Sequence, residues 1–474
     1  MALLWTVPVF MKLISINASI VSIVAVTITI YCFKIIIFRP FSVLITLPFL
    51  TLISPMLGYF NIIIGNILLS DLFFLLIVLQ MIVLFIRKKN LINNFKISKF
   101  FLLLTVLFIF SLLFGLAMGA IIGFKPILYL LQLYVIYYYT IKYSTEDVQK
   151  QKIINAWIYA SILGCFILFQ AFISGQNLQS IIIDEKQFVD DKSKLQNLFQ
   201  ATYYYAGFIY LVGISALLSL IKFILIGGRI KKLLYFLVFL LFFITLILMN
   251  NKTVIFSFLF VLSIIQISLI ANGFINRKKF IINSCMFFTI FVLVMVPIFL
   301  TFIDENQYKL MIDRFTSSSS LVARIEVYTT SFSQWLTNPI QIFIGMGPDF
   351  LDTSGVPEKA INFKKSLVTG IEEGTVDSGW ISYLIELGIL SFSILVLLFY
   401  KATKASYQRF KFQNKALLIS PTGIYVYACL LFIIVTLSTQ MLGYTKTSWF
   451  PFQLLLFGLM FSLDNKNLNI QNKV

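Results

Sequence analysis

The chain has 474 residues, of which 59% are hydrophobic and only 12% charged, with a mean hydropathy of +0.95. A soluble globular domain is about one-quarter charged, so this composition excludes that class. It points to an all-α polytopic integral membrane protein instead. The formal charge of +18 would suit a nucleic-acid binder if it were spread over a soluble surface. Sixteen Lys and Arg, with no Asp or Glu, are instead packed into 87–99, 229–232, 277–279 and 401–415, between apolar runs. Short basic loops of this kind stay on the cytoplasmic side. The charge therefore reports orientation and contact with anionic lipid headgroups, and no nucleic-acid partner is expected.

A membrane-crossing helix needs about 20 apolar residues. On that ruler the spans fall near 13–33, 40–58, 70–86, 100–122, 124–141, 153–174, 202–226, 233–249, 253–271, 280–302, 382–400, 422–441 and 447–463. The first is the weakest, so the number is about 12–13. With the first span counted the N-terminus lies outside, and without it inside. The basic loops put the C-terminus in the cytoplasm. The chain thus divides into a membrane part, 1–302, a large extracytoplasmic loop, 303–381, and a closing part, 382–474, with the last helices and a short tail.

Cys32, Cys165, Cys285 and Cys429 all lie in apolar runs, which suggests neither a disulfide framework nor a metal pair. There is no histidine, the commonest metal ligand and general base. No basic n-region marks a cleavable signal before the first apolar run. Neither a cofactor nor a metal is expected.

Two candidate cations sit at predicted outer turns. Lys125 precedes Pro126, and Lys252 follows Asn250 and Asn251 at the start of the ninth span. Tyr203, Tyr204 and Tyr205 open the seventh span. They suit the aromatic belt of a membrane interface, or stacking on sugar rings. The segments 175–201 and 303–381 hold fourteen of the nineteen acidic residues. Acidic residues do little to set topology, so a folded external site for a polar substrate is the better account.

The large loop carries most of the chemistry. Its stretch SSSSLVARIEVYTTSFSQWLTNP (317–339) starts with N-cap residues and ends at Asn-Pro, where helix is disfavoured. It predicts one helix of about 17 residues. Arg324, Tyr328, Ser331 and Trp335 share a face of that helix. They offer a cation, a phenol and an indole, or else a plain surface helix with Trp335 tucked beneath it. Gly345 and Gly347 in IGMGPDF allow tight turning and close backbone approach. The polar stretch 352–375 reads as a flap or a solvated linker.

VDSGWISYLIELGIL (376–390) then begins the next span. Asp377 and Ser378 fit a helix N-cap, where the macrodipole favours an anion. Trp380 fits the interfacial belt. Glu386 lies about 13 Å further along a helix axis, inside an apolar run. Intramembrane carboxylates are costly and face a cavity or a cation. Tyr383 is one turn from it on the same side. The stretch reads as a helix entering the membrane beside a polar cavity open to the outside.

A many-span chain with a late external loop of this layout resembles the O-antigen polymerase and ligase superfamily. The shared order is Arg, Trp, Asn-Pro, Gly-x-Gly, a polar pair and "YLIELGIL". It covers the topology and residues 317–390. The resemblance implies a metal-independent glycosyltransferase acting on undecaprenyl-diphosphate-linked sugars at the outer face of the bacterial cytoplasmic membrane. In the ligase branch a histidine stands where Asp377 stands here. The likeness is therefore to the Wzy-type branch, which joins repeat units of capsule, exopolysaccharide or O-antigen. Its implied partners are the lipid-linked oligosaccharide, the bilayer, and a flippase and chain-length regulator of the same pathway.

By that likeness Arg324, with Lys252 or Arg314, holds the diphosphate. Asp377 or Glu386 serves as base. Trp335, Trp380, Tyr383 and Tyr328 are the aromatic candidates for glycan contact. The chemistry is coherent, because a guanidinium pairs with phosphate oxygens and a carboxylate can take the proton of an attacking hydroxyl. The rival readings are the ligase branch, a lipid-linked oligosaccharide flippase, and a non-catalytic glycan-binding assembly protein.

Overall fold

A computed structural model describes residues 18–39, 41–57, 59–62, 65–87, 99–117, 125–144, 146–174, 206–248, 252–274, 332–333, 335–347, 379–415 and 422–437, and singly residues 7, 11, 278 and 329. The described chain is helical apart from one short hairpin. The helices are α1 (Ala18–Phe38), α2 (Ser42–Leu57), α3 (Leu69–Arg87), α4 (Lys99–Ala117), α5 (Lys125–Tyr143), α6 (Asp147–Ser174), α7 (Ala206–Leu225), α8 (Arg229–Leu248), α9 (Lys252–Ala271), α10 (Pro339–Ile344), α11 (Gly379–Lys415) and α12 (Thr422–Leu437). Between α2 and α3, β1 (Tyr59–Ile62) pairs antiparallel with β2 (Gly65–Leu68), Tyr59 opposite Leu68. The apolar pattern gave no sign of that hairpin.

Five described helices are long and apolar enough to cross a membrane: Asp147–Phe169, Phe208–Leu225, Arg229–Ile247, Val254–Ala271 and Gly379–Lys411. With the shorter apolar helices around them, they make an all-α membrane architecture. The expected spans near 280–302 and 447–463 lie outside the described residues.

Helix α7 runs through the middle of the bundle and packs on α6, α8, α9, α12 and α2. Nearly all of its side chains are buried. Lipid tails are as apolar as leucine, so close packing and small residues hold such helices together. Gly164 of α6 lies under the Phe208 ring, and Gly213 lies under the Phe432 ring. Between α6 and α7, the Ser161 and Ser215 hydroxyls bond each other at 2.7 Å. The Leu211 carbonyl lies 3.1 Å from the Ser161 hydroxyl and the Trp157 carbonyl 3.2 Å from that of Ser215, so two hydroxyl protons serve three contacts. Elsewhere Thr29, Thr46, Ser268, Ser406 and Thr436 donate to carbonyls four residues back, which settles a hydroxyl where no water is at hand.

Helices α8 and α9 turn large apolar side chains outward, among them Ile230, Leu233, Leu237, Phe256 and Ile267. In water these would be a liability; in a bilayer they meet acyl chains.

The basic segments that the structure describes gather at one end of the bundle. There Asp147, in the first turn of α6, bridges three elements. Its carboxylate lies 3.5 Å from the Arg409 guanidinium of α11 and 3.9 Å from Lys150, and accepts from the Thr422 hydroxyl of α12 at 3.2 Å. Phe410 stacks on Phe274 at 4.8 Å, and the Lys401 ammonium sits 3.5 Å over the Phe100 ring of α4. Deeper on the same side, the buried Lys222 donates to the Asn155 amide oxygen between the rings of Tyr235 and Tyr425.

Lys150 is 1% exposed while Asp147 and Arg409 are only partly buried, so solvent screens part of this network. Asp147→Ala should cost about 1–2 kcal/mol and lower the thermal midpoint of the detergent-solubilised protein, with exposed Lys411→Ala neutral. Equal midpoints for the two variants would show that the network holds nothing.

Candidate functional site

The expected span 382–400 is not one straight helix. At Gly388 the backbone leaves helical geometry, with φ 73° and ψ 169°. The part before the break folds back on the part after it. The Trp380 ring lies 5.8 Å from that of Phe392 and 5.6 Å from that of Phe399. A straight helix would put residues 380 and 399 about 28 Å apart. The Trp380 indole also donates to the Ile434 carbonyl of α12 at 3.1 Å. The segment after the break still exceeds the ~20 residues that a crossing needs.

A break of this kind frees carbonyls that a continuous helix would bond to its next turn. In an apolar setting each must find another donor. The loop supplies two of them. The Met346 N–H donates to the Ile385 carbonyl at 3.0 Å, and the Gly347 N–H to the Glu386 carbonyl at 3.1 Å. The Ser111 hydroxyl of α4 donates to the same Glu386 carbonyl at 2.7 Å.

Backbone crosses backbone here. A Cβ on Gly345 would run into the Glu386 carbonyl, and one on Gly388 into the Gly345 nitrogen and the Phe343 carbonyl. Gly345 and Gly347 hold φ of 93° and 107°, which side chains resist. The two loop glycines noted in the sequence therefore meet a third, Gly388, that sequence reasoning passed over. A lone glycine inside an apolar run was its only signal.

The short helix α10 explains how the loop reaches the break. Asn338 is extended and caps it, its side chain accepting from the Ile340 N–H at 2.9 Å, with Pro339 in the first turn. Asn-Pro thus begins a helix as well as ending the stretch before it. The Trp335 indole donates to the Gln341 carbonyl at 2.8 Å and its ring meets Phe332 edge-on.

The half-helix 379–387 is held from two sides. Trp380, Tyr383 and Leu387 join the main core, while Ile381, Leu384 and Ile385 pack with Trp335, Met346, Phe332 and Ile342. Glu386 is 1% exposed at the apex. Ser382, one turn before it, and Ser391, one turn beyond the break, are also buried. Two buried oxygens near the break, Gln341 Oε1 and Ser391 Oγ, have no hydrogen-bond partner among the described residues.

The sequence-predicted residues divide as follows. Glu386, Gly345 and Gly347 meet at the break, with Trp335, Trp380 and Tyr383 around it. The rings of those three aromatics are covered by protein neighbours. Lys252 is the first residue of α9 and Lys125 of α5, with their side chains outside the described part. Arg324, Arg314, Tyr328, Asp377 and Tyr203–Tyr205 lie outside the described residues. Ser111, Ser382, Gln341, Gly388 and Ser391 are new. Among the described residues no group of three His, Cys, Asp or Glu could hold a metal ion.

Gly388→Ala should cost about 2 kcal/mol or more, from positive φ and from collision with the loop backbone. Ser111→Ala should cost about 1 kcal/mol. Combined with Gly345→Ala, the Gly388 substitution should add little, because both break one contact. Thermal unfolding of purified variants checks this; wild-type stability for Gly388→Ala would mean that the helix is not broken there. No protein-family model matches this chain, and no match to it is found among curated proteins.

Proposed function

We propose that the protein is a Wzy-type polymerase, which joins undecaprenyl-diphosphate-linked oligosaccharide repeat units at the outer face of a bacterial cytoplasmic membrane. The observation that carries this reading is the buried Glu386 at the apex of a broken helix, its backbone carbonyl bonded by the Gly347 N–H of the loop. Burying a carboxylate among apolar helices is costly, and such groups mark sites of function. The basic end of the bundle is the cytoplasmic end on this reading, so the break faces outward. The distribution of acidic residues supports the same sidedness.

In the proposed reaction a hydroxyl of the acceptor sugar gives its proton to a carboxylate as its oxygen attacks the anomeric carbon of the donor. The bond from that carbon to the diphosphate breaks, and the diphosphate leaves with the electron pair. Glu386 or Asp377 is the base, and the burial of Glu386 at the break supports the first. The leaving charge calls for fixed cations, and Arg324, Arg314 and Lys252 are the residues to supply them. Gln341 and Ser391 would offer polar contacts to the substrate.

One observation favours a second reading. Helices broken near the middle of a bundle are how many transporters form a binding site, so a lipid-linked oligosaccharide flippase is the alternative. Glycan gels separate the two. In a strain lacking the gene, the wild-type chain should restore a ladder of many repeats. Glu386→Gln, which keeps the volume, should leave single units on the outer surface, a loss of about 10²-fold or more in chain extension. Arg324→Ala should do the same. A full ladder from both variants would sink the assignment. Single units trapped inside the cell would favour the flippase.

A further inference from the structure

Hydropathy assigns 303–381 to an extracytoplasmic loop. We infer that part of it lies in the bilayer, with Leu336, Ile340 and Phe343 facing lipid acyl chains. The inference is independent of the enzymatic assignment.

Depth is the first argument. The loop backbone is hydrogen-bonded to the carbonyls of Ile385 and Glu386, and the second of these also takes the Ser111 hydroxyl. Two rulers place that point. Along α4, the basic end is marked by Phe100 under the Lys401 ammonium, and Ser111 lies about 17 Å further on. Along α11, Gly388 lies about 20 Å from Lys401. A hydrocarbon core is about 30 Å thick. Both rulers put the break inside it, about 10 Å short of the far surface. A segment bonded to the break shares its depth.

The second argument is the surface. Leu336, Ile340 and Phe343 are 57%, 51% and 54% exposed. Ile340 and Phe343 lie one turn apart on α10 and share a face, and Leu336 lies just before its extended Asn338 cap. Exposed apolar side chains alone would prove nothing. This face, however, adjoins others that already look outward. Helix α10 packs on α4, whose Ile109, Phe110 and Leu113 are exposed, and α11 contributes exposed Ile389 and Leu390 just past the break. Exposed apolar side chains thus occur on the loop helix and on both bundle helices it packs against.

The third argument is the backbone. A chain in hydrocarbon must satisfy its own polar groups. Here the Leu336 N–H donates to Phe332, Ile342 to Asn338 and Gly345 to Gln341, at 2.9, 3.3 and 2.8 Å. The Asn338 side chain caps the Ile340 N–H, and the Trp335 indole takes the Gln341 carbonyl. These bonds meet much of the hydrogen-bonding demand of the segment's backbone.

The test is spin-label accessibility in phosphatidylcholine–phosphatidylglycerol vesicles. Nitroxides go onto Phe343→Cys and Ile340→Cys in a background with the four cysteines replaced by alanine. Leu113→Cys serves as the lipid-facing control and exposed Lys404→Cys as the aqueous one. Labels at 340 and 343 should be reached by oxygen and not by a water-soluble nickel chelate, as at 113. Access by the chelate equal to that at 404 would overturn the inference. So would shielding from both reagents, which would mean that protein covers this face. A second pair needs no cysteine-free background: Phe343→Asp should lower recovery of inserted, monodisperse protein several-fold, whereas Phe343→Leu should not. Equal recovery of the two would also overturn it.

Discussion

One constraint governs the described structure: inside an apolar bundle, every carbonyl released by a broken helix must be bonded again. Gly388 releases those of Ile385 and Glu386, and three donors take them up. Two are the backbone N–H groups of Met346 and Gly347, and one is the Ser111 hydroxyl. Those bonds fix where the loop docks. They demand glycine on both crossing strands, since the backbones come too close for a Cβ on either. They also let the half-helix 379–387 reverse, which carries Trp380 back to Phe399 and Ile434.

The reversal solves a packing problem as it creates one. A half-helix inserted between bundle and loop has two apolar faces to cover, and its sequence provides both. Trp380, Tyr383 and Leu387 lie on one face, and Ile381, Leu384 and Ile385 on the other. Glu386 is left at the apex, where the carbonyl dipoles and their donors already make the local setting polar.

Much of the bundle was legible because hydrophobic length is a direct physical signal. The expected span 253–271 is found as Lys252–Ala271, and 70–86 as Leu69–Arg87. Helix α6 starts earlier than expected, at Asp147. Its first turns are polar, so hydropathy discards them, yet the ion pairs of Asp147 hold them in the fold. Glu386 was legible as an anomaly, and so were the loop glycines. The break itself was not. One glycine in an apolar run costs a helix only about 1 kcal/mol, and nothing local distinguishes tolerance from rupture. The decisive contacts come from residues 346, 347 and 111, far away in sequence. Trp380 shows the same limit: by composition it belongs to a membrane interface, and only the reversal takes it inside.

The two ends of α11 therefore differ in kind. One end is tied by the Asp147 carboxylate, shared among Arg409, Lys150 and Thr422, and Asp147 and Arg409 are partly reached by solvent. The other is tied at the break by two backbone bonds and the Ser111 hydroxyl. Mutation of a side chain can loosen the first without disturbing the path of the chain. The second has no side chain to trade except the Ser111 hydroxyl, and an unmet carbonyl in hydrocarbon costs several kcal/mol. The break can thus exist only when the loop segment is docked, and the segment gains its place only from the break. Residues 335–347 and α11 must form together. A boundary drawn between loop and membrane part on hydropathy alone cuts through a single folding unit.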